Sequence, residues 1–165
     1  MDTHKILPIE SRHDACLARV IRQTISEFVE PHNRPFTSMN DVQIDSLSSF
    51  YNSSERQFWV IEDGEGEVAG GCGFAPLQGG SNDTCELQKM YFNPSARGKG
   101  LGKALLQLCL KEAHAVGFKL CYIETLSNML TAQALYIAHG FSPIPAPLGT
   151  TGHTYCDRFF IKDLS

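Results

Sequence analysis

The chain has 165 residues, a hydrophobic fraction of 42%, a charged fraction of 19% and a formal net charge of −4. These values are typical of a soluble globular protein of about one domain, and no segment approaches the roughly 18 apolar residues of a membrane span. We therefore expect one domain over residues 1–165 and no membrane partner. The acidic net charge gives no general attraction to nucleic acid, so we expect no nucleic-acid partner either.

The start of the chain does not resemble an export signal. MDTHKILPIE has neither a basic start nor an apolar run of secretory length, which indicates a cytoplasmic protein. The six cysteines form no CxxC pair, and four of them lie in apolar runs. We therefore expect buried free thiols rather than zinc ligands or disulfides.

The first third of the chain is predicted to form a strand and an amphipathic helix. Residues 4–9 favour a short strand. Ser11 with Asp14 fits the S-x-x-D form of a capping box, and a helix is predicted from there to about residue 30. Its apolar residues recur at helical spacing: Leu17, Val20, Ile21, Ile25 and Phe28. The pattern that follows is weak, and a second helix is expected around 41–51.

The rest of the chain alternates strands with helices. QFWVIE at 57–62, the turn DGEGE and the run 68–76 predict a hairpin, because aromatic and branched residues flank a tight polar turn. Later segments are predicted as strands at 84–92, 119–125 and 154–164, and as helices at 100–116 and 128–139. Gly140 is a suitable C-terminal cap for the last helix.

Residues 85–103, CELQKMYFNPSARGKGLGK, are the most informative part of the chain. They predict a strand, a turn and a glycine-rich start of a helix, an arrangement whose backbone amides bind phosphate groups. The glycines let the main chain approach a pyrophosphate, and Arg97 and Lys99 add positive charge. This segment therefore predicts a phosphate-bearing cofactor.

Two other phosphate-binding designs fit this segment less well. A Walker loop needs Ser or Thr after GxxxxGK, but Lys103 is followed by Ala104, so the hydroxyl that holds magnesium is missing. A dinucleotide-binding domain would use an acidic residue such as Glu124, but the GxGxG spacing and the small number of strand–helix crossovers disfavour it. A nucleotide-dependent oxidoreductase stays as the weaker alternative.

The pattern R-x-x-G-x-G that does fit runs from Arg97 to Gly102, after a strand containing Met90, Tyr91 and Phe92. A second element has Asn128 before a helix that reaches Tyr136 and is followed by Gly140 and Phe141. With these two elements in this order, the chain resembles the GNAT superfamily of acetyl-CoA-dependent N-acetyltransferases. The resemblance covers residues 57–141 well and the first 56 residues only in the order of elements.

The resemblance implies an α/β (α+β) fold: a mixed, mostly antiparallel sheet of six or seven strands, flanked by about four helices and splayed at its middle for acetyl-CoA. It implies that the backbone around Met90, Tyr91 and Phe92 binds the pantetheine arm and that Asn128 and Tyr136 line the wall beside the sulfur. The pyrophosphate would bind the segment comprising Arg97, Gly98, Lys99, Gly100, Leu101, Gly102 and Lys103.

The chemistry of acetyl transfer needs a base and gains from an acid. A primary amine with a pKa of about 10.4 is protonated at neutral pH and must lose a proton before it attacks. Simple alternation would place Glu86, Gln88, Met90 and Phe92 on one face of the strand, which makes Glu86 the candidate base, acting directly or through an ordered water. Tyr136 is the candidate acid for the leaving thiolate. No metal is required by this scheme.

Residues outside the two elements must select the acceptor, and we expect Phe74, Glu124, Thr125 and His153 to lie near it. The acceptor is expected to be a primary amine of a small molecule or peptide, and a homodimer is a further expectation. The alternative function is a catalytically inactive CoA-binding regulatory or interaction module. The sequence does not distinguish acetyl from slightly longer acyl donors.

Overall fold

A computed structural model describes residues 3–165. Seven strands form one sheet in the order β1-β2-β3-β4-β5-β7-β6. The strands are β1 (Lys5–Pro8), β2 (Gln57–Glu62), β3 (Val68–Pro76), β4 (Thr84–Phe92), β5 (Leu120–Thr125), β6 (Ser142–Ile144) and β7 (Arg158–Asp163). The helices are α1 (Asp14–Phe28), α2 (Leu47–Phe50), α3 (Leu101–Ala115) and α4 (Leu130–Ala138). The predicted mixed α+β fold is confirmed.

The sheet opens between its two central strands. All neighbouring strands pair antiparallel except β4 and β5, which are parallel and pair only from Thr84 to Glu86 with Leu120 to Tyr122. Within residues 3–165, β4 pairs beyond Glu86 only with β3, and β5 pairs beyond Tyr122 only with β7. The predicted splay is therefore present, and it lies next to the glycine-rich segment.

Helices cover both faces of the sheet. One apolar cluster contains Leu105 and Cys109 of α3, and the other contains Leu17 and Ile21 of α1. Free thiols contribute to the core as expected, since Cys72, Cys85, Cys109 and Cys121 are buried. Within residues 3–165, no helix is long and apolar enough to cross a bilayer.

A β-bulge in β4 changes which residues share a face. Gly73 pairs with Gln88 but Gly71 pairs with Tyr91, so one extra residue is inserted on β4, and Lys89 takes a left-handed φ of 53°. After the bulge, Tyr91 packs on the α1 side, whereas Met90 and Phe92 pack on the α3 side. The predicted common face for Glu86, Gln88, Met90 and Phe92 is therefore wrong, because simple alternation ends at the bulge.

Two other local predictions are also wrong. The helix expected at 41–51 is only the four-residue α2, preceded by 3₁₀ turns at Pro31–Phe36 and Ser38–Asn40. The Ser11–Asp14 capping box does not form, because Asp14 instead accepts hydrogen bonds from the Ser48 backbone N–H at 2.8 Å and hydroxyl at 2.6 Å. Asp14 thereby anchors the start of α2 to α1. The short strand β6 was not predicted.

Candidate active site

A narrow cavity of about 70 Å³ occupies the opening between β4 and β5. Side chains of β4, β5, α1 and α4 line it, among them Glu86, Met90, Tyr91, Ile123, Glu124, Thr125, Ile25, Val29, Ala132 and Tyr136. A larger groove of about 480 Å³, the acceptor groove, adjoins this cavity and is lined by Asp41, Arg56, Ala75, Glu86, Gln88 and His153, among others. Glu86, Gln88 and His153 line both spaces, so a group in the cavity can meet a group in the groove there.

Glu86 has the electrostatic properties of a base at this junction. Glu86 is buried, with only 5% of the residue exposed. Burial raises the pKa of Glu86 to about 7, partly opposed by Gln88, whose amide donates to the carboxyl at 2.7 Å. Gln88 is held in turn by the Tyr51 hydroxyl, which donates to it at 2.6 Å. The carboxyl is therefore fixed in position and changes protonation state near neutral pH.

A chain of alternating charges lies beside Glu86. Lys89 donates to Asp41, and the other oxygen of Asp41 lies 2.9 Å from Nε2 of His153. The Nδ1 atom of His153 lies 3.4 Å from Glu124. Burial alone would lower the pKa of His153, but its hydrogen bonds to Asp41 and Glu124 outweigh burial and raise that pKa to about 9. The imidazole is thus a cation at neutral pH, held between two carboxylates.

This chain of charges was only partly predicted. Glu124 and His153 were expected near the acceptor, and the structure brings both to Glu86; Tyr122 and Thr151 also donate to the carboxylate of Glu124. Asp41 and Lys89 were missed. Asp41 lies in the segment with the weakest periodicity, and Lys89 has the ordinary sequence context of a strand lysine, so no local signal could have found them.

Among residues 3–165, Glu86, Glu124 and His153 form a group that could hold a metal ion, since one ligand atom of each lies within 4.8 Å of the others. A metal would need a neutral imidazole nitrogen. Here Nε2 of His153 is engaged by Asp41, and the raised pKa keeps a proton on the imidazole at neutral pH. The donor set therefore suits a hydrogen-bonded cation better than a resident metal, and the expectation of metal-free chemistry stays a prediction.

Tyr136 reaches the cavity from α4. Its ring packs against Phe141 and Phe160, each with centroids 5.9 Å away, and its side chain lines the cavity. Burial raises the pKa of this phenol above its ordinary value, so it keeps its proton at neutral pH. The same side chain therefore serves the core and offers a proton donor toward the opening of the sheet.

The glycine-rich segment forms the start of α3. Gly98 and Gly100 have φ angles of 73° and 78°, a conformation that glycine adopts without steric cost, and Leu101 begins the helix. Lys99 and Lys103 are exposed here, and Gly102 packs beneath Phe92 and Leu135. Arg97 pairs with Glu27 of α1 at 2.7 Å and donates to the Phe92 carbonyl. The first-turn amides of α3 thus form a positively polarised end beside the opening of the sheet.

Three other predicted site residues occupy different environments. Phe74 is completely buried between Trp59 and Phe118 on the α3 side of the sheet, so its expected place near the acceptor is wrong. Its position on β3 faces the core rather than the acceptor groove. Asn128 is exposed and donates to the Phe28 carbonyl at 2.9 Å, outside the set of residues that line the cavity. Thr125 does line the cavity and contacts Met129.

Comparisons with known proteins agree in the fold and in the kind of enzyme. A sequence model of the Acetyltransferase (GNAT) family matches residues 21–141. The chain is 44% identical over 148 residues to the uncharacterized N-acetyltransferase YjgM of Escherichia coli, covering 90% of this chain and 87% of that protein.

Solved structures with low sequence identity have the same fold. A GNAT-family acetyltransferase from Staphylococcus aureus superposes with a TM-score of 0.82 at 19% identity, covering 99% of this chain and all 100% of that one. The yncA protein of Salmonella typhimurium, solved with its cofactor acetyl-CoA, gives a TM-score of 0.76 at 19% identity over 99% of this chain and 95% of that chain.

Proposed function

Because the chain belongs to the GNAT family of acetyltransferases, we propose that it transfers the acetyl group of acetyl-CoA to a primary amine by direct attack in a ternary complex. The observation that carries this proposal is the position of Glu86, a buried carboxyl with a pKa of about 7 where the cavity meets the acceptor groove. A base at that point can take a proton from an amine in the groove as the amine attacks a thioester in the cavity.

The donor site follows from the opening of the sheet and the start of α3. The pyrophosphate of acetyl-CoA would bind the amides from Gly98 to Lys103, where the helix dipole favours negative charge. The pantetheine arm would lie along β4 beyond Glu86, which has no strand partner on its β5 side within the described residues. In this arrangement the thioester would lie beside Met90, Tyr91 and Tyr136.

The ammonium first loses a proton to solvent, and the neutral amine attacks the thioester carbonyl carbon while its nitrogen loses a second proton to Glu86. The carbon–sulfur bond breaks, and the phenol of Tyr136 donates a proton to the departing thiolate. The amide product and free CoA result, with no covalent acyl-enzyme. The proton held by Glu86 returns through solvent to the Tyr136 phenolate before the next turnover.

The test is an acetyl-CoA turnover screen in the presence of a chelator. Release of the CoA thiol with primary amines, together with a higher melting temperature in acetyl-CoA, is the expected result. Binding of acetyl-CoA without turnover across small amines, polyamines, aminoglycosides, amino acids and peptides would instead indicate a binding module. Stabilisation by NAD or NADP but not by CoA would contradict the assignment of the cofactor.

Tyr136→Phe should lower kcat by about 10²-fold, at the lower end of the range for general acid–base groups. The substitution keeps the ring that packs between Phe141 and Phe160, so a purely structural tyrosine would leave kcat unchanged. Steady-state kinetics at saturating acetyl-CoA measure the effect. Tyr155→Phe is the control, because Tyr155 packs in the α1 cluster and lines neither the cavity nor the groove.

Gly100→Ala should raise the KM for acetyl-CoA about tenfold, which corresponds to roughly 1.4 kcal/mol. A side chain at a φ of 78° strains the backbone, and its Cβ would stand where the pyrophosphate approaches the amides. Gly117→Ala is a matched control, since Gly117 also has a positive φ of 106° with open space around it, but it lies after the far end of α3. An equal rise in KM for both variants would contradict the assigned pyrophosphate site.

A further inference from the structure

Arg56 and Glu86 lie in one row across the sheet, on the surface of the acceptor groove. Gln57 pairs with Phe74, and Ala75 pairs with Glu86, so Arg56, which directly precedes β2 and bridges to Ser53, lies at the Ala75 position of this register. Two strand spacings therefore separate Arg56 from Glu86, roughly 10 Å between their α-carbons. Ala75, with its small side chain, lies between them, and all three residues line the groove.

The Arg56 side chain is exposed, and its guanidinium stacks on an aromatic ring rather than on a carboxylate. It lies over the Phe50 ring, 5.1 Å from the centroid. In the part of the chain that the structure describes, no carboxylate lies within 4.0 Å of it. By contrast, four other arginines pair with carboxylates: Arg12, Arg22, Arg97 and Arg158. Arg56 thus offers its planar donors to a ligand, and a carboxylate matches them in a bidentate arrangement.

The remaining charges of the groove favour a ligand that carries one positive and one negative charge. The acidic side chains that line it are Asp41 and Glu86, and Asp41 is already paired with Lys89 and His153. A second ammonium group would therefore find no free anion among the described lining residues, and it would be repelled by Arg56 and by the cationic His153. Amide side chains supply the other polar contacts, namely Asn40, Gln43, Gln78 and Gln88.

We propose that the acceptor is an amino acid, a small primary amine that also carries a carboxylate. Arg56 binds the carboxylate at one end of the row, and the amine lies toward Glu86 at the other. This inference rests on the proposed acetyltransferase function and adds the class of substrate to it. It assigns to Arg56 a role in specificity, since the residue contacts the acceptor and takes no part in the proton transfers.

The test compares amino acids with their carboxamides, which keep the amine and lose the negative charge. Arg56→Gln should raise the KM for amino acids at least about tenfold and leave the KM for the carboxamides unchanged. For each acceptor, the KM of the variant is divided by the KM of the wild type, so that differences in amine reactivity between acceptors cancel. Arg56→Lys should raise the KM for amino acids by less than Arg56→Gln does. Arg19→Gln is the control, because Arg19 lies on the exposed side of α1.

Three results would overturn the inference in distinguishable ways. If the wild type acetylates amines without preferring the carboxylate, or if Arg56→Gln raises the KM for both acceptors equally, the class of substrate is wrong while the acetyltransferase function stands. If no amine of any class is acetylated although acetyl-CoA binds, the proposed function fails and the acceptor inference fails with it.

Discussion

Glu86→Gln should lower kcat by about 10²–10⁴-fold, the range by which a positioned general base accelerates proton transfer. The amide keeps the size of the side chain and its place beside Gln88, so the loss is in basicity rather than in packing. Initial rates at saturating acetyl-CoA and acceptor measure the effect. An unchanged kcat would remove Glu86 from the mechanism while leaving the donor site intact.

The pH dependence gives this prediction a second readout. The pKa of about 7 means that Glu86 is protonated, and unable to accept a proton, below that pH. The wild-type kcat/KM, expressed per concentration of unprotonated amine, should therefore fall tenfold per pH unit below about pH 7 and level off above it. In Glu86→Gln, this fall in kcat/KM below about pH 7 should be absent. Glu62→Gln, whose carboxylate pairs with Arg12 outside the site, should keep it.

Phe74→Ala should lower the free energy of unfolding by about 3–5 kcal/mol, the usual cost of deleting a buried aromatic ring. Phe74 is 0% exposed and packs against Trp59 at 6.2 Å and Phe118 at 6.1 Å between ring centroids. Surrounding structure relaxes only partly into such a cavity, which adds to the cost of losing the ring. Chemical denaturation measures the loss.

Because Phe74 faces the α3 side of the sheet, the KM of the folded variant for its acceptor should stay at the wild-type value. Phe36→Ala is the control, since Phe36 is 52% exposed and its loss should change stability by less than about 1 kcal/mol. A raised KM with unchanged stability would return Phe74 to the acceptor site and contradict its place in the core.

Glu86 and Phe74 differ in how the sequence reasoning compares with the structure. Glu86 was chosen as the candidate base because simple alternation would put it on the face of Met90 and Phe92. The bulge at Lys89 breaks that face, although Glu86 still lies where the cavity meets the groove. Phe74 was expected as a neighbour of the acceptor, and it lies in the core. Which face of a strand a residue occupies depends on bulges and pairing partners, so the sequence alone did not determine either environment.

The amino-acid sequence by itself determined the features that arise from short-range interactions. The hairpin at 57–76, the glycine-rich start of α3 and the order of strands and helices follow from local periodicity, turn residues and backbone freedom at glycine. They were sufficient to indicate a phosphate-bearing donor, and the fold was expected from the resemblance to the GNAT superfamily. The same local rules failed from residue 31 to 51, where short turns are held by contacts with distant segments.

Tertiary structure alone decided how the site is assembled. The pairing of Asp41 with His153 joins residues 112 positions apart, and the row of Arg56, Ala75 and Glu86 depends on the register of three strands. The bulge at Lys89 sets which side of the sheet Met90, Tyr91 and Phe92 face. Such features depend on burial and on contacts between distant segments, and a linear pattern carries no record of either. The sequence thus indicated a phosphate-bearing donor, and the fold placed the charges that we propose select the acceptor.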